Sequence, residues 1–217
     1  MIKIAPSLLG ADLLKIGEEI ESVRACGADW LHFDVMDAHF VPNLSFGPAL
    51  LAACSKTGVF ADAHLMMDNA DRYIDQFVRA GAMALSVHAE TCESLEDTLL
   101  HIRGYGCLAG VALSPETSPA CLSDILDRVD IVLVMTVHPG FGGPAMIPEC
   151  VEKIAVVRRM LDEAGSKALI EVDGGVTLHN ARRCIANGAN VLVAGTSFFR
   201  AQNKEAFVRT LHAMNTI

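Results

Sequence analysis

The chain has 217 residues, is 52% hydrophobic and carries a formal net charge of −9 from 17 basic and 26 acidic residues. That length suits one α/β domain with a sizeable core, and the acidic balance argues against nucleic acid and anionic membranes as partners. The seven cysteines form no C-x-x-C pair, so the sequence indicates neither a disulfide framework nor a thiolate zinc site. With no signal-peptide or transmembrane pattern, we expect a cytoplasmic protein.

Short apolar runs alternate with helix-patterned segments along the whole chain. The strand candidates are 2–7, 30–35, 59–66, 84–89, 107–113, 131–137, 168–173 and 190–195. Helical patterns lie between them, for example in 12–26, 68–80, 148–164 and 178–186. Strict β–α alternation predicts a parallel sheet, and eight such units predict a closed (β/α)8 TIM barrel, a single domain over 1–217. The first strand is followed by PSLLGAD rather than G-x-G-x-x-G, which argues against a dinucleotide-binding fold.

The second strand, WLHFDVMD from 30 to 37, carries polar residues on one face. Side chains alternate across a strand, so His32, Asp34 and Met36 share a side. In a barrel whose outer side is covered by helices, we expect that side to face the interior, near the C-terminal mouth where such barrels hold their chemistry.

Two other strands place similar groups at the same mouth. The third strand aligns Asp62, His64 and Met66 on one face, and the seventh ends in Asp173. Two His and two Asp offer nitrogen and oxygen ligands that suit Zn²⁺, Fe²⁺, Mn²⁺ or Co²⁺. A strand His is often only a hydrogen-bonded core residue, and His88 on the fourth strand can be read as support for the site. An inward Asp, however, is rarely buried without a partner.

Glycines follow the last three strands. The segments HPGFGG (138–143), DGG (173–175) and AGTS (194–197) stand at consecutive loops of the predicted mouth. Glycines there allow main-chain N–H groups to approach an anion, which predicts a phosphate site needing no basic patch. The alternative is that they only form tight turns.

None of the six lysines falls at the C-terminal end of a predicted strand, and Lys167 stands at the start of the seventh strand. This argues against a Schiff-base aldolase. The second strand also lacks the Asp-x-Lys pair of decarboxylase-type barrels.

Several long motifs resemble the ribulose-phosphate 3-epimerase family. They are LHFDVMDAHFVPN, AHLMM, VMTVHPGFGG, IEVDGGV and VAGTS, and the likeness runs from KIAPSLLGAD to the last strand. The resemblance implies the same TIM barrel and an enzyme that epimerises a ketose phosphate at C3. It also implies one divalent metal per subunit, usually zinc and sometimes iron, manganese or cobalt.

The resemblance assigns roles to particular residues. His32, Asp34, His64 and Asp173 match the family's metal ligands, and Asp34 and Asp173 match its paired acid and base, acting through a metal-stabilised enediolate. Residues that match substrate and phosphate contacts are Ser7, His64, Gly140, Phe141, Gly142, Gly143, Asp173, Gly174, Gly175, Gly195 and Thr196. Met36, Met66 and Met135 match a methionine lining beside the reacting carbons.

The sequence departs from the family pattern around the mouth. Thr136, His138, Pro144 and Met146 stand where pentulose enzymes usually have Ser, Asn, Gln and an aromatic, and Ala38 replaces a usual Gly. These changes leave the sugar open. D-Ribulose 5-phosphate, converted to D-xylulose 5-phosphate, is the first expectation, and a hexulose phosphate such as D-allulose 6-phosphate is the alternative.

Two readings from other classes are a silent phosphate-binding barrel and a metal-dependent aldolase. The four-residue metal set argues against the first. Two opposed carboxylates argue against the second, because retro-aldol chemistry needs one base. We expect a small-molecule ketose phosphate as partner and a homo-oligomer, with no nucleic acid and no membrane.

Overall fold

The computed structural model describes residues 2–214, so Met1 and residues 215–217 of the predicted 1–217 domain lie outside the described residues. Eight parallel strands form one sheet in the order β1-β8-β7-β6-β5-β4-β3-β2. The strands are β1 Lys3–Ala5, β2 Leu31–Met36, β3 Ala61–Met66, β4 Ala84–His88, β5 Leu108–Leu113, β6 Ile131–Met135, β7 Leu169–Asp173 and β8 Val191–Val193. The predicted (β/α)8 barrel is confirmed.

The ring closes between β1 and β2, the two ends of this order. Ser7 and His32 form an isolated parallel bridge, and the His32 amide donates to the Pro6 carbonyl at 2.9 Å. This seam places Ser7, just past the end of β1, beside the polar face of β2.

The helices of the described chain cover the outside of the ring. They are α1 Ile16–Ala25, α2 Pro48–Ser55, α3 Ile74–Arg79, α4 Leu95–Gly104, α5 Pro148–Glu163, α6 Ala181–Ala186, α7 Thr196–Phe199 and α8 Lys204–Ala213. None of the helices in residues 2–214 has the length and apolar character needed to cross a membrane.

The link between β5 and β6 departs from strict alternation. It contains only a 3-10 turn, Pro119–Leu122, which the Ser118 side chain caps by accepting from the Ala120 amide at 3.3 Å. Pro115 and Pro119 lack amide hydrogens and disfavour a continuous helix, so the segment stays short and irregular.

The alternation predicted for β2 is present. Leu31, Phe33 and Val35 are buried in the main core, which lies between the strands and the helix layer. On the inner side, Trp30 and Phe60 stack at the base, with ring centroids 4.8 Å apart. The interior polar residues, His32 and Asp62, therefore begin two residues further along these strands, above an apolar floor.

Candidate active site

The register of β2 against β3 stacks polar pairs from the middle of the barrel to its mouth. His32 lies opposite Asp62, and Asp34 lies opposite His64. All four residues are buried. Since cross-strand neighbours on one face lie within side-chain reach, this register brings two imidazoles and two carboxyl groups together.

The four predicted metal ligands converge at the mouth. Asp34 Oδ1 lies 3.5 Å from both His32 Nε2 and His64 Nδ1, and His64 Nδ1 lies 3.7 Å from Asp173 Oδ2. One donor atom from each residue lies within 4.8 Å of all the others. Tetrahedral ligands about 2.1 Å from a metal stand roughly 3.4 Å apart, so the spacing fits one divalent cation.

The hydrogen bonds of the two histidines also fit a cation. His32 Nε2 and His64 Nδ1, the nitrogens that face the carboxylates, are buried and have no hydrogen-bond partner among the described residues. Their opposite nitrogens are engaged, His32 Nδ1 with Asp62 Oδ2 at 2.6 Å and His64 Nε2 with His88 Nε2 at 2.8 Å. A buried polar atom without a partner is costly, and a metal ion would satisfy both.

The two carboxyl groups of the site hold protons with different affinities. Burial alone would raise the pKa of Asp34, but His32 and His64 outweigh it and lower that pKa below its usual range. Burial and the charge of Asp34 raise the pKa of Asp173 from 3.8 to about 7. Paired carboxyl groups whose pKa values are separated in this way are typical of acid–base sites.

A second carboxyl pair, which the sequence-based predictions did not place in the site, lies one layer deeper. Asp62 and Glu171 are fully buried, and Glu171 Oε1 lies 3.4 Å from His32 Nδ1. Burial and the neighbouring Asp62 raise the pKa of Glu171 well above its usual range. Alternation in IEVDGG puts Glu171 on the same face as Asp173, which is the signal that could have located it.

One cavity of about 530 Å³ opens above the four ligands. Its lining contains all of the predicted substrate and phosphate residues except His64, which lies buried beneath, and all three methionines of the predicted lining. The structure thus brings these residues together, while their individual roles stay predictions. Among residues 2–214, no Lys or Arg lines this cavity.

The glycine loops contribute residues to the lining of this cavity. Within residues 2–214, the amides of Gly175, Gly195 and Thr196 donate to no other main-chain group. Gly175 has a φ of +65°, and a Cβ there would stand 2.5 Å from the Met146 nitrogen. Side chains fix the loop positions, since Thr136 Oγ1 donates to the Gly174 carbonyl at 2.6 Å. The loops can therefore offer N–H donors to an anion without a cationic side chain.

The residues that depart from the family pattern do not all reach the cavity. Pro144 and Met146 line it. His138 does not, because its side chain is 69% exposed and lies 3.4 Å from Glu116. Ala38 lies outside the lining with a φ of +61°, a conformation that glycine adopts more readily.

Comparison with known proteins finds relatives that match the chain over most of its length. Residues 3–199 match the family described as Ribulose-phosphate 3 epimerase family. The chain is 47% identical over 207 residues to ribulose-phosphate 3-epimerase of Bacillus subtilis (strain 168), covering 94% of this chain and 95% of that one. It is 43% identical over 198 residues to the protein of that name from Escherichia coli (strain K12), covering 90% and 88%. A solved 3-hexulose-6-phosphate synthase has a TM-score of 0.71 at 16% identity over 99% of both chains, a likeness of fold alone.

Proposed function

The chain belongs to the ribulose-phosphate 3-epimerase family, and from that premise we propose that it inverts C3 of a ketose phosphate, with D-ribulose 5-phosphate to D-xylulose 5-phosphate as the reaction. One observation carries the proposal beyond the family name. Asp34 and Asp173 meet two unpartnered histidine nitrogens at the floor of a cavity large enough for a sugar phosphate. That arrangement supports acid–base chemistry beside a cation.

The two carboxylates approach the cavity floor from different walls. Asp34 comes from β2 and Asp173 from β7, and β1 and β8 separate these strands on the ring. The C2 ketone acidifies the adjacent C3 proton, and a Lewis acid beside the ketone oxygen would bring that proton within reach of a carboxylate base. Removal by one aspartate and return by the other on the opposite face would invert the carbon.

Ser7 supports one of these carboxylates directly. Its hydroxyl donates to Asp34 Oδ2, while Asp34 Oδ1 faces the two histidines. The hydrogen bond holds the carboxylate plane, so the proton-accepting oxygen has a fixed direction.

His32, Asp34, His64 and Asp173 would hold the divalent cation, for which zinc is the first candidate and iron, manganese and cobalt the others. The bound cation would supply a Lewis acid that draws electron density from the ketone oxygen. The chain's own residues would bind and orient the sugar, with the methionine lining excluding water beside the reacting carbons.

The amides of Gly175, Gly195 and Thr196 would bind the phosphate group. Anchoring the remote end of the sugar would fix C3 between the two carboxylates, since binding energy far from the reacting atoms is used for orientation. A cationic clamp is not needed when several N–H dipoles converge.

The experiment is a substrate comparison on metal-loaded protein. D-Ribulose 5-phosphate and D-allulose 6-phosphate would be assayed for C3 epimerisation and for C–C cleavage, with metal content measured on the same samples. Epimerisation of the pentulose with the higher kcat/KM supports the proposal. A higher kcat/KM for D-allulose 6-phosphate would make a hexulose phosphate the substrate. C–C cleavage would indicate an aldolase, and metal binding with no turnover would indicate a non-catalytic phosphate-binding barrel.

A further inference from the structure

Two buried imidazoles face each other beside the site. His64 Nε2 on β3 lies 2.8 Å from His88 Nε2 on β4, and neither side chain is exposed. A hydrogen bond at this distance needs one hydrogen between the two nitrogens, so one ring donates and the other accepts. Which ring donates decides the proton on His64 Nδ1, the nitrogen aimed at Asp34 and Asp173.

Glu90 decides the direction of that hydrogen bond. Its Oε2 lies 3.0 Å from His88 Nδ1. Burial alone would raise the pKa of Glu90, but hydrogen bonds from His88, Thr117 and the Ser114 amide lower it from 4.5 to about 2. A carboxylate only accepts, so a neutral His88 carries its single hydrogen on Nδ1 and has a lone pair on Nε2.

The consequence passes to His64. Because His88 Nε2 carries no hydrogen, it accepts the hydrogen bond between the rings, and the shared hydrogen is covalently bound to His64 Nε2. A neutral imidazole carries one hydrogen, so His64 Nδ1 has a free lone pair directed at the four-residue site.

Glu90 is itself fixed by the β5–β6 link. Its Oε1 accepts from the Ser114 amide at 2.9 Å and from the Thr117 hydroxyl. Lys153 on α5 holds the same link, donating from Nζ to the carbonyls of Ser114, Pro115 and Thr117 at 2.7–2.8 Å. The Glu90 carboxylate is therefore held in place by the β5–β6 link, a segment that contributes none of the four proposed metal ligands.

We propose that His88 and Glu90 are positioning residues that commit His64 to the tautomer able to bind the cation through Nδ1. They touch neither the proposed cation nor the cavity, and they act through His64. The inference rests on the proposed metal centre, and it extends the functional unit outward to Glu90 and the link 114–117.

Glu90→Gln is the decisive variant. A glutamine of the same shape can accept from His88 Nδ1 or donate to it, so the tautomer is no longer imposed. An NH2 group can accept from neither the Ser114 amide nor the Thr117 hydroxyl, which favours the glutamine oxygen on their side and the NH2 group toward His88 Nδ1. Asp29→Asn is the matched control, because Asp29 Oδ2 likewise accepts a main-chain amide, from Ile4 at 2.8 Å, and lies 2.8 Å from His212 Nε2 at the opposite end of the barrel.

The measurement is the Co²⁺ dissociation constant of metal-stripped protein, by competition with a chelator, together with the visible spectrum of the bound Co²⁺. We expect Glu90→Gln to weaken binding about 10- to 100-fold and alter the spectrum. Asp29→Asn should bind within about twofold of the wild type, since changes far from a site leave its affinity nearly unaltered. Co²⁺ affinities of Glu90→Gln and Asp29→Asn that agree within error would overturn the inference.

A second pair of variants separates hydrogen bonding from packing at the same position. His88→Gln retains an oxygen that can accept from His64 Nε2, whereas His88→Leu fills a similar volume with no acceptor. Tighter Co²⁺ binding by His88→Gln supports the inference, and equal binding by the two contradicts it. If the leucine variant does not fold, the comparison of Glu90→Gln with Asp29→Asn decides. Wild-type protein that takes up no Co²⁺ would instead contradict the proposed metal centre.

Discussion

At the base of the barrel, Trp30 stacks on Phe60, whereas four residues further along the same strands Asp34 lies opposite His64. The base is apolar. The carboxylate nearest to it, Asp29, has hydrogen-bond partners, because it accepts from the Ile4 amide and contacts His212. At the mouth, His32 Nε2 and His64 Nδ1 are instead buried without a hydrogen-bond partner among the described residues. This difference suggests that the base supplies stability while the mouth gives up stability for chemistry.

The largest expected effect is at the mouth, from Asp34→Asn. Asparagine keeps the shape and one ligand oxygen but cannot take a proton, so we expect kcat to fall by about four orders of magnitude, roughly 5 kcal/mol in the barrier. The measurements are kcat, urea unfolding and metal content.

Deuterium exchange at C3 sharpens this test. Each carboxylate should act as base for one epimer only. The metal-retaining variants Asp34→Asn and Asp173→Asn should therefore exchange the C3 proton with solvent deuterium in opposite epimers. Equal exchange of both epimers by both variants would exclude the two-base assignment.

The complementary change at the base is Trp30→Ala. Removing this buried indole should lower the free energy of unfolding by about 3–4 kcal/mol, measured by urea denaturation. The folded fraction should keep its kcat, because the site begins above the apolar floor. A tenfold lower kcat per folded molecule would show that the two ends are not independent.

Gly195→Ala tests the phosphate loops at the mouth. A Cβ there would meet Ser7 Cβ at 3.6 Å, an ordinary contact, so the protein itself has room for the methyl group. If a phosphate binds against this main chain, KM should rise about tenfold, or 1.4 kcal/mol, with little change in stability. Gly47→Ala is the control, since a Cβ there meets nothing within 4 Å. An unchanged KM for Gly195→Ala would show that this loop is only a turn.

A pH-dependent effect is expected from the loop after β2. Burial would raise the pKa of Asp37, but hydrogen bonds from the amides of His39, Asp68 and Phe40 lower it below 3.8. A lowered pKa means that the ionised group stabilises the fold above pH 3.8 and loses this contribution as the pH falls through the folded-state pKa. The stability difference between wild type and Asp37→Asn should therefore be largest near neutral pH and shrink in acid. A difference in the free energy of unfolding that stays constant between pH 6 and pH 2 would contradict the stabilising role of the ionised Asp37.

The smallest expected effect is a gain at the same loop. Ala38 holds a φ of +61°, which costs an L-residue about 1–2 kcal/mol, and glycine would relieve this at some cost in unfolded-state entropy. Ala38→Gly should raise the free energy of unfolding by about 0.5–1 kcal/mol, measured by urea denaturation. A decrease would show that the loop does not store strain.

The strands and the convergence of His32, Asp34, His64 and Asp173 could be predicted because both depend on alternation, which a single sequence displays. The helix expected over 12–26 instead begins as a 3-10 turn, Leu13–Lys15, before α1. The tautomers of His32 and His64 could not be predicted, because they depend on neighbours from other strands. Glu90 was missed because its partners, Ser114 and Thr117, lie more than 20 residues away along the chain. Zinc as the resident ion, the homo-oligomer and the cytoplasmic location stay predictions.

The seam between β1 and β2 has a consequence for how the protein acquires its activity. The ring is completed there, at the Ser7–His32 bridge, and the four proposed ligands come from β2, β3 and β7. A growing or partly folded chain whose sheet has not yet curled keeps Asp173 far from the two histidines, and contacts so distant in sequence form late. An open sheet would hold His32, Asp34 and His64 on the paired strands β2 and β3 but would lack Asp173 from β7. The proposed cation would therefore bind more tightly once the ring is complete, and the bound cation would in turn resist reopening of the seam.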